Sequence, residues 1–156
     1  MLVLCIDLSV NAPGFAIGDS STGKVLDFGS LKNSSSEPLY FRFEKNLKFF
    51  SELVSKKQIK AVWLEMPAFG LRQNSHAVLL EQQGIFKFYF YSKNIPVCGL
   101  NISEIKKFIT GNGKAKKTEM IAAIKKQGFA VANDNEADAI SIFFTGIAKK
   151  SLLQIN

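Results

Sequence analysis

Residues 1–19 read MLVLCIDLSVNAPGFAIGD, and this stretch decides the fold. Residues 2–6 are all apolar, which indicates a buried strand, and that strand ends in Asp7 before polar residues and a Pro13-Gly14 turn. An isolated ionised carboxylate is costly to desolvate, so a buried one normally has a partner, a proton or a metal ion. The rest of the sequence indicates which of these Asp7 has.

Two further short apolar segments, 15–18 and 24–31, follow the first one closely with turn residues between them. This spacing predicts a meander of three antiparallel strands. A later apolar segment, 59–65, is typical of another buried strand, and it ends in a second carboxylate, Glu65. The pattern of the first strand therefore occurs twice.

The remaining segments alternate between helical and extended patterns. We predict a strand over 95–100 and helices over 40–54, 73–93, 101–109, 116–127 and 133–150. The serines at 34–36, together with Asn33, are candidate caps for the first helix, with Pro38 in its first turn. These elements predict a mixed α/β fold in which residues 1–156 form a single domain.

The composition favours a polyanionic partner. Twenty Lys and Arg residues against thirteen Asp and Glu residues give a formal net charge of +7, a balance often found in nucleic-acid-binding proteins. Cys5 and Cys98 lie far apart in apolar segments, which is typical of buried thiols in a reducing compartment. Because the sequence also lacks a long apolar span, we expect a cytoplasmic protein with no membrane partner.

Three carboxylates form a candidate metal site. Asp7 and Glu65 end strands that we expect to be parallel neighbours, so both side chains would emerge at one edge of the sheet. Asp138 lies near the start of the last predicted helix between Ala137 and Ala139, which are small enough for the helix to approach the sheet. Carboxylates this close repel one another unless cations are shared between them, and oxygen ligands favour Mg²⁺, with Mn²⁺ as a substitute.

Three residues near Asp138 on the same helix carry side-chain oxygens that could also bind a cation. Measured from Asp138 at about 100° per residue, Asp134 lies about 40° to one side and Asn135 about 60° to the other. Glu136 points about 160° away and would serve only if the helix began later. Asn135 is neutral and would bind a hard cation weakly, so Asp134 is the favoured residue, although it is also a candidate N-cap.

Basic and aromatic residues beside this edge are candidates for nucleic-acid binding. A glycine turn at 110–114 lies among basic side chains, which is typical of a phosphate-binding segment; the candidates are Lys106, Lys114, Lys116 and Lys117. The loop after Glu65 contributes Phe69, which could stack on bases, and Arg72. Each of these residues also has a purely structural interpretation, as part of a solvated turn or of the core.

The predicted helix at 76–92 has apolar residues on most of its sides. One face of a sheet cannot cover all of them, so the helix is either centrally buried or packed against a partner. Gly84 would allow a second helix to approach closely. We therefore predict a homodimer formed through this helix.

Four segments together resemble a known family. They are LCIDLSVNAPGFAI at 4–17, AVWLEMPAFG at 61–70, KKFITGNGKAKK at 106–117 and NEADAISI at 135–142. Their order and approximate spacing are similar to those of the RuvC-type Holliday-junction resolvases, which are ribonuclease H-like nucleases, and the short length is typical of the phage-type branch. The resemblance covers nearly the whole chain. It implies a ribonuclease H-like five-stranded sheet with three antiparallel and then two parallel strands.

The resemblance also implies a function. It implies metal-binding roles for Asp7, Glu65 and Asp138, phosphate contacts for Lys106 and Lys117, a homodimer, and resolution of four-way and other branched DNA by two-metal hydrolysis. The resemblance also implies a fourth ligand on the last helix, but the sequence departs from the family at Asn135, where an acid or a histidine is common. A related nuclease acting on RNA and a catalytically inactive nucleic-acid-binding module therefore stay open as alternatives. An actin-like ATPase is excluded because the chain is short and lacks a second phosphate-binding segment.

Overall fold

The structure is a computed structural model that describes residues 1–66 and 74–149. Its five strands form one mixed sheet in the order β3-β2-β1-β4-β5. The strands are β1 Leu2–Asp7, β2 Gly14–Asp19, β3 Lys24–Ser30, β4 Ala61–Met66 and β5 Val97–Asn101. The first three are antiparallel neighbours, whereas β4 pairs in parallel with both β1 and β5. This arrangement confirms the predicted meander and the predicted parallel pairs.

Helices cover both faces of the sheet. They are α1 Leu39–Lys57, α2 Asn74–Ser92, α3 Ile102–Thr110, α4 Lys117–Lys126 and α5 Asp134–Ala148. Side chains of α1 and α2, including Phe50 and Phe86, pack with Leu4 and Leu64 on one face. Side chains of α3, α4 and α5 pack on the opposite face. Within 1–66 and 74–149, no helix is long and apolar enough to cross a membrane.

The alternation of side chains along the strands determines where the two carboxylates point. Val3 and Cys5 of β1 belong to the core beneath α5, so Asp7, two residues further on, is directed to the same face. Trp63 of β4 also packs beneath α5, and Glu65 follows it by the same step. Since residues 6 and 64 are opposite each other in the parallel pair, Asp7 and Glu65 are the next residues of adjacent strands.

Two glycines on β2 allow α5 to lie close to the sheet. Gly14 pairs with Asp7 across β1 and β2, and a Cβ atom on Gly14 would be 2.0 Å from the carbonyl oxygen of Asn135. A Cβ atom on Gly18 would be 2.2 Å from the ring of Phe143. These distances are far shorter than a van der Waals contact, so only glycine fits. The start of α5 is thereby brought directly beside Asp7.

The start of α1 differs from the prediction. The residue before the helix is Pro38, which provides no side-chain cap, so the predicted serine cap is wrong. Asn33 is instead buried, and its amide donates to Asn46 Oδ1 at 2.7 Å and to the carbonyl of Val10 at 2.9 Å. Asn46 also donates to that carbonyl, at 3.2 Å. Two buried amides therefore hold the loop that follows Asp7.

One side of α2 is apolar and exposed. Phe86 and Phe90 are fully buried against the sheet, but Phe88 and Tyr91 are 74% and 79% exposed. Leu80 and Ile85 are exposed as well. Of the two explanations that the sequence left open, central burial of α2 is therefore excluded.

Candidate active site

Asp7 and Glu65 form the base of the candidate site. Burial raises the pKa of Asp7 well above its usual range, and the carboxylates of Glu65, Asp138 and Asp134 raise it further. Burial, followed by the charge of Asp138, raises the pKa of Glu65 to about 7. The predicted neighbours therefore lie within electrostatic range of each other at one edge of the sheet.

Asp138 completes a group of three carboxylates. It lies one turn into α5, between the fully buried Ala137 and Ala139, on the side of the helix that faces the sheet. Burial, followed by the charge of Asp134, raises the pKa of Asp138 to about 6. Three carboxyl groups with raised pKa values are thus grouped in one place, which is typical of a functional site.

Asp134 lies beside this group, but not as the helix cap that the sequence suggested. The N-cap of α5 is Asn133, whose side chain accepts a hydrogen bond from the backbone of Glu136 at 3.0 Å. The carboxylate of Asp134 accepts a hydrogen bond from Lys117 Nζ, at the start of α4. This ion pair keeps the pKa of Asp134 below its usual range and raises that of Lys117.

Glu136, the other charged candidate for the fourth ligand, points elsewhere. Its side chain is buried, accepts from Ser30 Oγ of β3 at 3.0 Å and accepts from the backbone of Ala132 at 2.8 Å. Asn133 and Glu136 thus stabilise the start of α5 and attach it to β3. Because α5 begins at Asp134, the late start that would turn Glu136 toward the other carboxylates does not occur.

Gln83 is a site residue that the sequence pattern did not reveal. It is buried on α2, and its amide donates to the backbone carbonyl of Glu65 at 3.0 Å. It also lines a cleft of about 50 Å³ together with Asp7, Leu8, Glu65 and Leu79. The signal in the sequence was a pair of glutamines, Gln82 and Gln83, within an otherwise apolar helical segment, since buried polar groups need partners.

The predicted basic residues divide into two sets. Lys106 on α3 lowers the pKa of Glu65 and of Asp138, so its ammonium lies within range of the carboxylates, as does that of Lys117. Lys114 and Lys116 are exposed in and after the glycine turn. The turn has a structural reason for its glycine, because Gly111 ends α3 with a φ of 80°. Phe69 and Arg72 lie outside the described residues.

The donor set fits a hard divalent cation. All of its side chains are carboxylates, the ligands that Mg²⁺ and Mn²⁺ prefer, and repulsion from neighbouring carboxylates contributes, after burial, to the raised pKa of each of Asp7, Glu65 and Asp138. In the part of the chain that the structure describes, no three His, Cys, Asp or Glu side chains are grouped closely enough to hold one ion as they stand. Binding an ion would therefore require these side chains to turn toward each other.

The mixed sheet, with carboxylates from β1, β4 and the last helix at one edge, defines a ribonuclease H-like nuclease. The particular family follows from the sequence. The profile of the family described as "Crossover junction endodeoxyribonuclease RuvC" matches residues 3–146, and the chain belongs to this family. The predicted family is therefore confirmed, whereas the phage-type branch stays a prediction.

Individual relatives agree with this assignment. The crossover junction endodeoxyribonuclease RuvC of Caldicellulosiruptor saccharolyticus is 26% identical over 157 residues, covering 97% of this chain and 95% of the relative. That of Ehrlichia chaffeensis is 28% identical over 127 residues, covering 81% of each chain. The fold is similar to that of Thermus thermophilus RuvC in complex with a Holliday junction substrate, with a TM-score of 0.79, 21% identity, and coverage of 98% of this chain and 96% of that one.

Proposed function

We propose that this chain is a structure-selective endodeoxyribonuclease that resolves Holliday junctions and related branched DNA. The observation that carries the proposal is the convergence of Asp7, Glu65 and Asp138 at one sheet edge with raised pKa values. Hydrolysis of a phosphodiester does not require a nucleophilic side chain from the protein. When metal ions carry the reaction, the protein has to supply carboxylates that hold the cations beside the scissile phosphate.

Asp7, Glu65, Asp138 and Asp134 are the residues that we propose to hold Mg²⁺, or Mn²⁺ in its place. Ions held there would lower the pKa of a bound water and would stabilise the leaving oxygen of the scissile phosphate. The fold supports this proposal, because adjacent parallel strands bring Asp7 and Glu65 together and Gly14 allows the helix that carries Asp134 and Asp138 to approach them. Gln83 fixes the backbone of Glu65 and thereby restricts where its side chain can point.

Lysines supply the opposite charge. We propose that the ammonium groups of Lys106 and Lys117 neutralise phosphate oxygens next to the carboxylates, while Lys114 and Lys116 contact the backbone of the flanking duplex. Phe69 and Arg72 stay predicted DNA contacts. Phosphate contacts carry no sequence information, so we expect these lysines to favour the shape of the junction over its sequence.

We further propose a homodimer, because a junction presents two symmetric strands for cleavage and two active sites related by a two-fold axis would match them. The exposed apolar side of α2 supports this proposal. We place the protein in the cytoplasm, since its proposed substrate is cellular DNA.

The test is a comparison of substrates with the purified protein and Mg²⁺. We expect paired nicks in opposing strands of a four-way junction, and little cutting of a linear duplex of the same sequence or of a structured RNA. Preferential cutting of the RNA would favour the RNA nuclease. Binding of the junction without cutting in either Mg²⁺ or Mn²⁺ would favour the inactive binding module.

A further inference from the structure

An ion pair joins the starts of two helices beside the candidate site. Lys117 is the first residue of α4, Asp134 is the first residue of α5, and Lys117 Nζ donates to Asp134 Oδ2. Asn133 caps α5, and the hydrogen bond from Lys117 is the largest cause of the lowered pKa of Asp134, ahead of the backbone N–H groups of Asp134 and Asn135. The carboxylate proposed as the fourth ligand is therefore neutralised by a residue of the chain itself.

Lys117 differs in this respect from the other lysine at the site. Its charge lowers the pKa of Asp7, Glu65 and Asp138, which places its ammonium within range of the whole carboxylate group. Lys106 acts on Glu65 and Asp138 in the same way, but it forms no ion pair with Asp134. Both lysines thus lower the pKa of Glu65 and Asp138, but only Lys117 of these two forms an ion pair with Asp134.

The exposure of the pair allows its partners to change. The side chain of Lys117 is 77% exposed, whereas that of Asp134 is 24% exposed. An ion pair with one partner so open to water contributes little stability, so breaking it costs little. The long side chain of Lys117 can leave Asp134 and extend toward a ligand without disturbing the buried core.

We propose that the ammonium of Lys117 exchanges the Asp134 carboxylate for a phosphate of the DNA when a divalent cation binds. Without a divalent cation it holds Asp134; when a cation takes the Asp134 carboxylate, the released ammonium binds a phosphate of the DNA. This inference rests on the proposed function. The two binding events are therefore linked. A bound cation frees the Lys117 ammonium for a DNA phosphate, and bound DNA frees the Asp134 carboxylate for the cation. Each ligand then raises the affinity of the protein for the other ligand by the same factor.

The first experiment measures the binding of Mn²⁺ alone, by electron paramagnetic resonance, to the full chain without DNA. Lys117→Gln and Lys106→Gln each remove one positive charge near the carboxylates, but only the first removes a competitor for Asp134. We expect Lys117→Gln to tighten Mn²⁺ binding by about 2- to 5-fold more than Lys106→Gln does, the range of an exposed ion pair.

The second experiment measures the affinity for a four-way junction with and without Ca²⁺, scoring binding and not cleavage. We expect Ca²⁺ to raise the affinity of the wild type. Lys106→Gln should weaken binding but keep the ratio of the two affinities, Lys117→Gln should bring the ratio toward one, and Lys117→Arg should restore it.

The outcomes separate this inference from the proposed function. Equal Mn²⁺ affinities in Lys117→Gln and Lys106→Gln, or equal Ca²⁺ ratios in the wild type and Lys117→Gln, would overturn the exchange of partners while leaving the metal site intact. A wild type that binds no Mn²⁺ at all would overturn the proposed metal site and the inference together.

Discussion

At the scale of single residues, the candidate site groups three buried carboxyl groups whose ionisation is unfavourable. Asp7, Glu65 and Asp138 are directed to the same side of the sheet, and burial is the largest cause of the raised pKa of each. Such groups reduce the stability of the folded state when they are ionised. An arrangement of charges that costs stability in this way is typical of an active site.

This cost predicts how stability depends on pH in the absence of divalent cations. The folded protein keeps a proton on Glu65 up to a pH of about 7, whereas the unfolded chain releases it near 4.5. Since the folded state binds more protons, its stability falls as the pH rises through this window and stays low above it. Glu65→Gln should remove of the order of 2–3 kcal/mol of that fall, as measured by urea unfolding in EDTA at several pH values.

The matched control is Glu119→Gln, which removes a carboxylate that accepts from the backbone of Lys116 at the exposed start of α4. Its unfolding free energy should keep the wild-type decrease between pH 5 and pH 8. A Glu65→Gln variant that is no more stable than the wild type at pH 8 would contradict the account of the buried charge.

At the scale of elements, the site depends on how closely α5 lies against β2. Gly14→Ala would place a methyl group against the carbonyl of Asn135, so the start of α5 must move away from Asp7. We expect a loss of about 1–3 kcal/mol in stability, together with much weaker Mn²⁺ binding. Calorimetric titration of Mn²⁺ under folding conditions measures the second effect.

Gly18→Ala is the control for this prediction, because it faces α5 at the ring of Phe143, further from the carboxylates. It should destabilise the fold to a similar extent while retaining most of the affinity for Mn²⁺. Equal reductions of the affinity for Mn²⁺ in both variants would show that Mn²⁺ binding does not depend on the position of α5 near Asp7.

The elements also show how far the sequence could be interpreted. The pattern of apolar runs, helical repeats and turn residues predicted every described strand and helix, because it records which residues are buried and where the chain turns. It also brought Asp7, Glu65 and Asp138 together, since two strands that end in carboxylates must meet at one edge when they are parallel. In the sequence, Ala137 and Ala139 account for the approach of α5, whereas Gly14 indicates only a turn and its role beside α5 is not evident.

Contacts between distant segments could not be predicted. Three features depend on tertiary geometry: the burial of Asn33 against Asn46, the hydrogen bond from Gln83 to Glu65, and the capping of α5 by Asn133 where the sequence suggested Asp134. Local propensity favours Ser, Asp and Asn almost equally at a helix start, so it could not choose among neighbouring candidates.

At the scale of the whole molecule, an apolar side of α2 and a basic surface lie open to partners. Phe88 and Tyr91 are the most exposed of the large apolar residues that the structure describes. We expect a dimer in sedimentation at micromolar concentration, and a monomer of about the chain mass, 17.3 kDa, after Phe88→Glu with Tyr91→Glu.

A matched control for the dimer is Tyr40→Glu, which changes an aromatic residue that is 65% exposed on α1. The dimer should persist in this variant. Sedimentation of the wild type as a monomer, or dissociation by Tyr40→Glu alone, would contradict an interface on α2.

The basic surface predicts the salt dependence of DNA binding. Replacing Lys106, Lys114, Lys116 and Lys117 with Gln should weaken junction binding and lower the slope of log affinity against log salt by about 0.9 for each phosphate that a lysine no longer neutralises. Titrations at several salt concentrations measure the slope. Lys57→Gln, at the end of α1, is the control and should leave the slope unchanged. An unchanged slope in the fourfold variant would show that these lysines do not contact DNA phosphates.

The central claim is that the carboxylates are needed for cleavage, whereas the lysines beside them provide most of the affinity for DNA. The most direct test measures both properties of Asp7→Asn on one four-way junction in Mg²⁺, by gel mobility for binding and by strand nicking for cleavage. We predict binding within about 2-fold of the wild type and a loss of nicking by several orders of magnitude. Nicking by Asp7→Asn at the wild-type rate, dependent on Mg²⁺, would contradict the claim.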